Sequence, residues 1–345
     1  MTHQNVLVTG GTGFVAGHVI LQLLQKGYTV CTTLRSLGRQ NEIIDMLRNG
    51  GLPEPFSIRF VEADLTGDDN WDDAAAGCTF AMHIASPIFL RLPRRADDMI
   101  RPAVDGTLRV LKAARKAGVK RVVMTSNYGA VGYSKKKVRG LINEKSWTDP
   151  KQRGLSAYNR SKVLAELAAW NYIRSEGEPM ELSVINPMAV FGPSLGPGLS
   201  SGYELLKNIM TGQMKAIPKL ALGIVDVRDL ADLHIRAMTN PAARGERFLA
   251  LCGGAMTLPQ VAILLRNEMP EASRNVSQKV LPNTAIRLAS LFNAEARAIA
   301  PMLGVDRNAS NEKARFVLGW QPRSNEEAIL AAAESLVKFG HVASE

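Results

Sequence analysis

The sequence predicts an α/β fold, a doubly wound parallel sheet with a smaller, mostly helical C-terminal domain. Three observations support this. Short Val-, Ile- and Leu-rich strands alternate with helical apolar spacing from Asn5 to about Gly129. A glycine turn, TGGTGFVA (Thr9 to Ala16), joins the first strand to the first helix. From about Thr257 onward the pattern is helical, rich in Met, Leu and Ala. With 345 residues, 46% of them hydrophobic, the chain is long enough for one large domain and a smaller companion.

The first unit sets the register for the rest. Asn5 to Thr9 reads as a strand, Phe14 to Lys26 as a helix ended by Gly27, and Tyr28 to Leu34 as a second strand. In such a βαβ unit Gly10 permits the tight turn, Gly13 lets a pyrophosphate approach the main chain, and Ala16 lets the helix pack closely on the strand. Helix-start N–H groups lack partners within the helix and can hold phosphate oxygens. Thr9, Gly10, Thr12, Gly13, Phe14 and Val15 are therefore candidate cofactor contacts. Where an NAD site offers an acidic side chain to the adenosine ribose, this chain has Thr32, Thr33, Leu34 and then Arg35, with Arg39 close behind. A guanidinium matches a 2′-phosphate, so NADP(H) is expected over NAD(H).

Further strands are predicted at Ile58 to Leu65, Thr79 to Pro87 and Arg121 to Gly129, with a helix from Pro102 to Ala117. Ligands of open α/β sheets sit beyond the carboxyl ends of the strands. Asp64 and Leu65, then Ala85, Ser86 and Pro87, and Thr125, Ser126 and Asn127 all fall at such ends. Ser156 is placed to cap a helix through Tyr158, Lys162, Ala165 and Trp170, and residues four apart on a helix share a face. A phenol beside an ammonium is a candidate proton relay, because the cation favours the phenolate.

These motifs together resemble the extended short-chain dehydrogenase/reductase family over nearly the whole chain. The likeness rests on TGGTGFVA, Asp64 and Leu65, HIASP (His83 to Pro87), TSN (Thr125 to Asn127), YNRSK (Tyr158 to Lys162), INPMAVFGP (Ile185 to Pro193), VDVRDLADLH (Val225 to His234) and ASNEKARFVLGWQPR (Ala309 to Arg323). Within the family the chain looks most like dihydroflavonol, cinnamoyl and yeast-type aldehyde/ketone reductases. The resemblance implies a Rossmann domain over residues 1–190 and 223–252, and a substrate-binding domain over 191–222 and 253–345. It implies hydride transfer from NADPH to an aldehyde or ketone, reversibly, with Tyr158 as proton donor and Lys162 assisting it while holding the nicotinamide ribose. Pro187 and Val190 join the cofactor contacts, and Pro87, Asn127, Tyr133, Met188 and Tyr203 are expected to line the substrate site. The family's usual catalytic serine aligns one residue after Ser126, on Asn127, so both are catalytic candidates. An asparagine amide still donates a hydrogen bond to a developing oxyanion. Two other readings stay open: a nucleotide-sugar epimerase or dehydratase with bound NAD, and a non-catalytic NADP-binding redox sensor.

Composition excludes several classes. The net charge of +10 includes the tracts Ser134 to Gly140 and Ala114 to Arg121, but aromatics are only 6% and do not interleave with the charges as single-strand binding requires. No nucleic-acid partner is expected; a positive field also attracts a dinucleotide phosphate. No apolar run approaches the ~18 residues of a membrane span, and no signal-like leader precedes the first strand, so a cytoplasmic protein is expected. Cys31, Cys78 and Cys252 form no CxxC pair, and the five histidines show no metal-binding spacing, so no metal is expected. Ser194 lies in a G-x-S-x-G frame, but Pro197 and Gly198 follow where a hydrolase elbow needs a helix. The expected partner is a small carbonyl or alcohol substrate, taken by a monomer or homodimer.

Overall fold

A computed structural model describes residues 4–87, 95–134, 140–176, 179–293, 296–297, 300, 303 and 308–343. Residues 135–139 of the basic tract, the stretch 88–94 after Pro87, and His3 lie outside it. The described chain forms two compact units, the first comprising Met1–Pro187, Arg228–Ala250 and Asn311–Gln321, the second Met188–Val227, Leu251–Ser310 and Pro322–Glu345.

The first unit is built on β1 (Asn5–Val8), α1 (Phe14–Gln25), β2 (Thr29–Leu34), α2 (Gln40–Asn49), β3 (Ile58–Glu62), α3 (Trp71–Ala75), β4 (Phe80–His83), α4 (Asp97–Lys116), β5 (Arg121–Thr125), α5 (Ala157–Glu176) and β6 (Glu181–Pro187), with an edge strand Arg247–Ala250. These strands make one seven-stranded sheet in the order edge strand, β6, β5, β4, β1, β2, β3, every pairing parallel. Helices cover both faces, so β1 carries the uninterrupted apolar run Val6, Leu7, Val8, each fully buried. One core cluster packs Leu7, Trp71, Ala81, Leu111, Val122 and Leu182 together. Because β1 pairs with β2 on one side and β4 on the other, the order in which successive strands are added across the sheet reverses there. That reversal opens a crevice at the carboxyl ends of β1 and β4.

Several ends follow the sequence signals. Ser156 accepts from the Asn159 amide at 3.1 Å and caps α5 as expected. Helix α4 begins at Asp97, earlier than the predicted Pro102, which sits inside it and forgoes only one backbone hydrogen bond. The buried Arg121 donates to the carbonyls of Ala237, Met238 and Asn240, holding the C-terminal end of the helix Val227–Thr239 while pairing with Glu181.

The segment Asn311–Gln321 belongs to the first unit, whereas the sequence division assigned it to the C-terminal domain. Polar contacts hold it there: Lys313 pairs with Glu246, Arg236 donates to the Leu318 carbonyl at 3.0 Å, and the Trp320 indole donates to the Asp229 carbonyl at 2.8 Å. Short polar-backbone anchors of this kind leave no periodicity in the sequence.

The second unit is mostly helical, with helices Ser201–Met210, Leu258–Glu268 and Asn325–Lys338, the last two opened by capping boxes at Thr257 and Ser324. Strand Ala189–Phe191 pairs in parallel with Ile224–Asp226. Two further pairs of two-residue strands occur, Met256–Thr257 with Ala221–Leu222 and Val280–Leu281 with Ile217–Pro218, the strand Val280–Leu281 lying where only helix was expected after Thr257. They are too short to show alternation. Among the described residues no helix is long and apolar enough to cross a membrane.

Candidate active site

The turn after β1 is shaped for a close-approaching anion. Gly10 has φ +73°, and a Cβ there would lie 3.0 Å from the Ala85 Cβ. The Gly10 amide donates to the Thr33 hydroxyl and the Gly11 amide to the Thr33 carbonyl. Gly13 is the N-cap of α1, and no side chain caps the helix and no acidic residue lies in its first turn. The helix start thus carries neither a side-chain cap nor a first-turn carboxylate to compete with a phosphate at the positive end of its dipole. Thr12, Gly13, Phe14 and Val15 are only partly buried, and Thr9 lies fully buried behind them.

At the end of β2, Arg35 is exposed. Thr66 donates its amide and hydroxyl to Asp64 and holds that carboxyl below the usual carboxylate range, with the charge of Arg35 adding to the effect. Arg39 instead makes a two-bond pair with Glu42, both distances 2.7 Å. Of the two guanidiniums expected at the 2′-phosphate, Arg35 is the one not tied into such a fork. Leu65 is buried, its side chain against Gly106 in α4.

The end of β4 is tied to β1 by a buried chain of hydroxyls and imidazole. The Thr107 hydroxyl donates to the Ala103 carbonyl at 2.8 Å, so it accepts from His83 Nε2 at 3.3 Å. His83 Nδ1 is then an acceptor, and the Thr9 hydroxyl donates to it at 3.2 Å while accepting from the amides of Ile84 and Ala85. His83 is neutral: burial pushes it down to about 3, with the charge of Lys162 adding to the shift. A second buried histidine, His234, donates Nδ1–H to the Leu230 carbonyl and accepts from the Thr125 hydroxyl at 2.7 Å. Burial pushes it down to about 4. Thr125 thus directs its hydroxyl inward, to a histidine that spacing alone had left without a role.

The centre of the site lies where β5 ends. Asn127 Oδ1 accepts from the Gly129 amide at 2.7 Å, capping a short 3₁₀ turn, so its Nδ2 must face the other way. There it donates to the Tyr158 hydroxyl at 3.1 Å. A Cβ on Gly129 would lie 2.6 Å from Asn127 Oδ1, so only glycine leaves room for this amide. Lys162, one turn along α5, places Nζ 5.9 Å from the Tyr158 ring centre and donates to the Ser86 hydroxyl at 2.9 Å. Tyr158 is half exposed, with its hydroxyl held by Asn127. Ser126 does not join this group. Its hydroxyl is buried with no hydrogen-bond partner, and its amide donates to the Ile185 carbonyl.

Of the remaining expected residues, Ala85 packs against Gly10, and Pro87 is the last described residue before 88–94. Tyr133 donates its amide to Thr148, and its ring meets the edge of Tyr128. Pro187 ends β6 and is buried. Met188, Val190 and Tyr203 belong to the second unit. Tyr203 is a packing residue there, 1% exposed, with its hydroxyl donated to the Gly192 carbonyl at 2.5 Å. Sequence reasoning missed Glu166, Asn186 and Arg247, which are buried behind Asn127. The available signal was a carboxylate one turn beyond Lys162 on the same helix face.

A family model described as the NAD-dependent epimerase/dehydratase family matches residues 6–250. Among curated proteins, an anthocyanidin reductase ((2S)-flavan-3-ol-forming) of Vitis vinifera is 34% identical over 286 residues, 78% of this chain and 82% of that protein. Cinnamoyl-CoA reductase CAD2 of Medicago truncatula is 32% identical, covering 71% and 75%. Among solved structures, yeast methylglyoxal/isovaleraldehyde reductase Gre2 complexed with NADPH superposes with TM-score 0.79 at 26% identity, covering 98% of this chain and 99% of that one. The Gre2–NADPH complex of Candida albicans gives 0.78 at 28%, covering 97% and 99%.

Asn127→Asp replaces the Nδ2 donor with an acceptor facing the phenol, and turnover should fall by about 10²- to 10³-fold while the fold persists by circular dichroism. A variant as fast as the parent would exclude a role for that amide. The two neutral histidines also set the acid stability. Between pH 6.5 and about 4 the unfolded chain binds protons at His234 and His83 that the folded chain refuses, and for His83 the window extends to about 3. Stability is therefore present in full above pH 6.5 and lost on acidification, by about 1.4 kcal/mol per pH unit for each histidine. Denaturant unfolding across this range should show the slope, and His234→Asn should make it shallower.

Proposed function

Since the chain belongs to the NAD-dependent epimerase/dehydratase family, we propose that it is an NADP(H)-dependent reductase of aldehydes or ketones, reversible toward the alcohol. The observation that carries the reading is the cluster at the carboxyl end of the sheet: Asn127 on the Tyr158 oxygen at 3.1 Å and Lys162 on Ser86 at 2.9 Å.

The residues present fit the dinucleotide. The uncapped start of α1 with Thr12, Gly13, Phe14 and Val15 would hold the pyrophosphate, Arg35 the 2′-phosphate, and Lys162 the nicotinamide ribose. Bound NADPH supplies the hydride for the carbonyl carbon. Tyr158 gives its phenolic proton to the carbonyl oxygen as charge develops there. The Asn127 amide, already donating to the phenolic oxygen, stabilises the charge left behind when that proton leaves, and the Lys162 ammonium adds to it through space.

Net reduction is favoured over epimerisation with a retained NAD by the exposed Arg35 where such an enzyme would offer a carboxylate. A protein that only senses NADP has no use for an amide held on a phenol with an ammonium one helical turn away.

Two substitutions test the reading. Tyr158→Phe should lower turnover of NADPH with an activated aldehyde such as 4-nitrobenzaldehyde by about 10²- to 10⁴-fold. NADPH affinity, read by fluorescence titration, should stay within about twofold, because the phosphate turn and Arg35 are untouched. Equal loss of both would make the tyrosine structural. Arg35→Asp should move the NADPH to NADH preference toward NADH on the order of tenfold or more, the worth of one charge-assisted contact. An unchanged ratio removes Arg35 from cofactor selection.

A further inference from the structure

Behind the active tyrosine lies a buried polar chain that the reaction as proposed does not use. Glu166 is fully buried on α5, one turn beyond Lys162 and two beyond Tyr158. Its Oε1 accepts from Arg247 Nε at 2.6 Å and from the Trp170 indole at 3.3 Å. Its Oε2 accepts from Asn186 Nδ2 at 2.8 Å, and the same Nδ2 donates its other hydrogen to the main-chain carbonyl of Asn127 at 3.2 Å. Arg247 is held in turn: its guanidinium stacks 3.7 Å from the Trp147 ring centre and donates to the carbonyls of Glu144 and Ser146.

These bonds close a ring. From the Tyr158 hydroxyl it runs through the Asn127 side chain and carbonyl to Asn186, then to Glu166, and back along α5 to Tyr158. Asn127 is thereby fastened to the helix at two points, and its amide cannot drift from the phenol without breaking one of them. Burying a carboxylate and a guanidinium is costly, and well-packed apolar residues would be at least as stabilising. What apolar residues could not do is fix the Asn127 carbonyl.

We propose that Glu166 is a positioning residue for the reductase reaction, holding the Asn127 amide on the Tyr158 oxygen through Asn186, with Arg247 keeping its carboxylate in place. The proposal rests on the reading of Tyr158 as proton donor. That reading stands or falls separately, on whether Tyr158→Phe loses turnover.

Glu166→Gln keeps the shape but turns an amide NH₂ toward either Arg247 or Asn186, both donors, so one link is lost whichever way it lies. With NADPH and 4-nitrobenzaldehyde, kcat should fall about 10- to 100-fold, as for a displaced catalytic group, with NADPH affinity held. The solvent deuterium isotope effect on kcat should rise, because proton delivery becomes slower. In an Asn127→Ala background the same substitution should cost nothing further. Adding Arg247→Gln should restore turnover, since a glutamine Oε1 lies as many bonds along its side chain as the Arg247 Nε. It would accept from the Gln amide and free that residue's oxygen for Asn186. If Glu166→Gln does not fold, Asn186→Ala breaks the same ring while leaving the ion pair intact, and the same loss and isotope effect are expected. Unchanged turnover in a folded variant, or an equal loss with and without Asn127, overturns the proposal.

Discussion

An asparagine side chain has one accepting end and one donating end, and at position 127 the accepting end is already spoken for. The Gly129 amide takes Oδ1, which forces Nδ2 onto the Tyr158 hydroxyl. The site depends on that single polarity. A hydroxyl at this position could rotate between giving and receiving a proton, whereas the amide only gives. The phenol is thus left with its own hydrogen free for the substrate, and the proton's direction of travel is set before any substrate arrives.

The rest of the first unit serves to hold the parts around this amide. Parallel pairing brings the ends of β1, β4 and β5 side by side, and buried polar groups then lock them. Thr9 and His83 fasten β4 to β1, His234 fastens Thr125 at the end of β5, and Asn186 fastens Asn127. All three locks are made of uncharged or mutually neutralised groups. They give direction without leaving a net charge near the phenol to compete with Lys162.

Much of this was legible in the sequence because it obeys local rules. The glycine turn, the parallel sheet implied by alternating βα units, the Ser156 cap and the four-residue spacing of Tyr158 and Lys162 all appear in the structure at the positions the sequence implies. What stayed hidden was long-range and polar. His83 and His234 looked scattered because each pairs with a hydroxyl far away in sequence, Thr107 or Thr125. Ser126 and Asn127 could not be ranked, since which of two neighbours faces the helix depends on backbone geometry beyond the strand end. Tyr203 suggested a ligand contact, yet its hydroxyl meets a carbonyl eleven positions upstream in its own unit. The segment Asn311–Gln321 joins the first unit through backbone carbonyls, which have no residue identity to read.

The contact between Gly10 and Ala85 gears two loops to one another. One is the glycine turn proposed to hold the cofactor phosphates, and the other carries Ser86, the hydrogen-bond partner of Lys162. A Cβ on residue 10 would come within 3.0 Å of the Ala85 Cβ, so any side chain at position 10 would push the two loops apart. Directed evolution of this enzyme toward bulkier carbonyl compounds should therefore keep glycine at position 10, where any side chain would crowd the Ala85 loop. Libraries for acceptor range are better built where no such gear meshes.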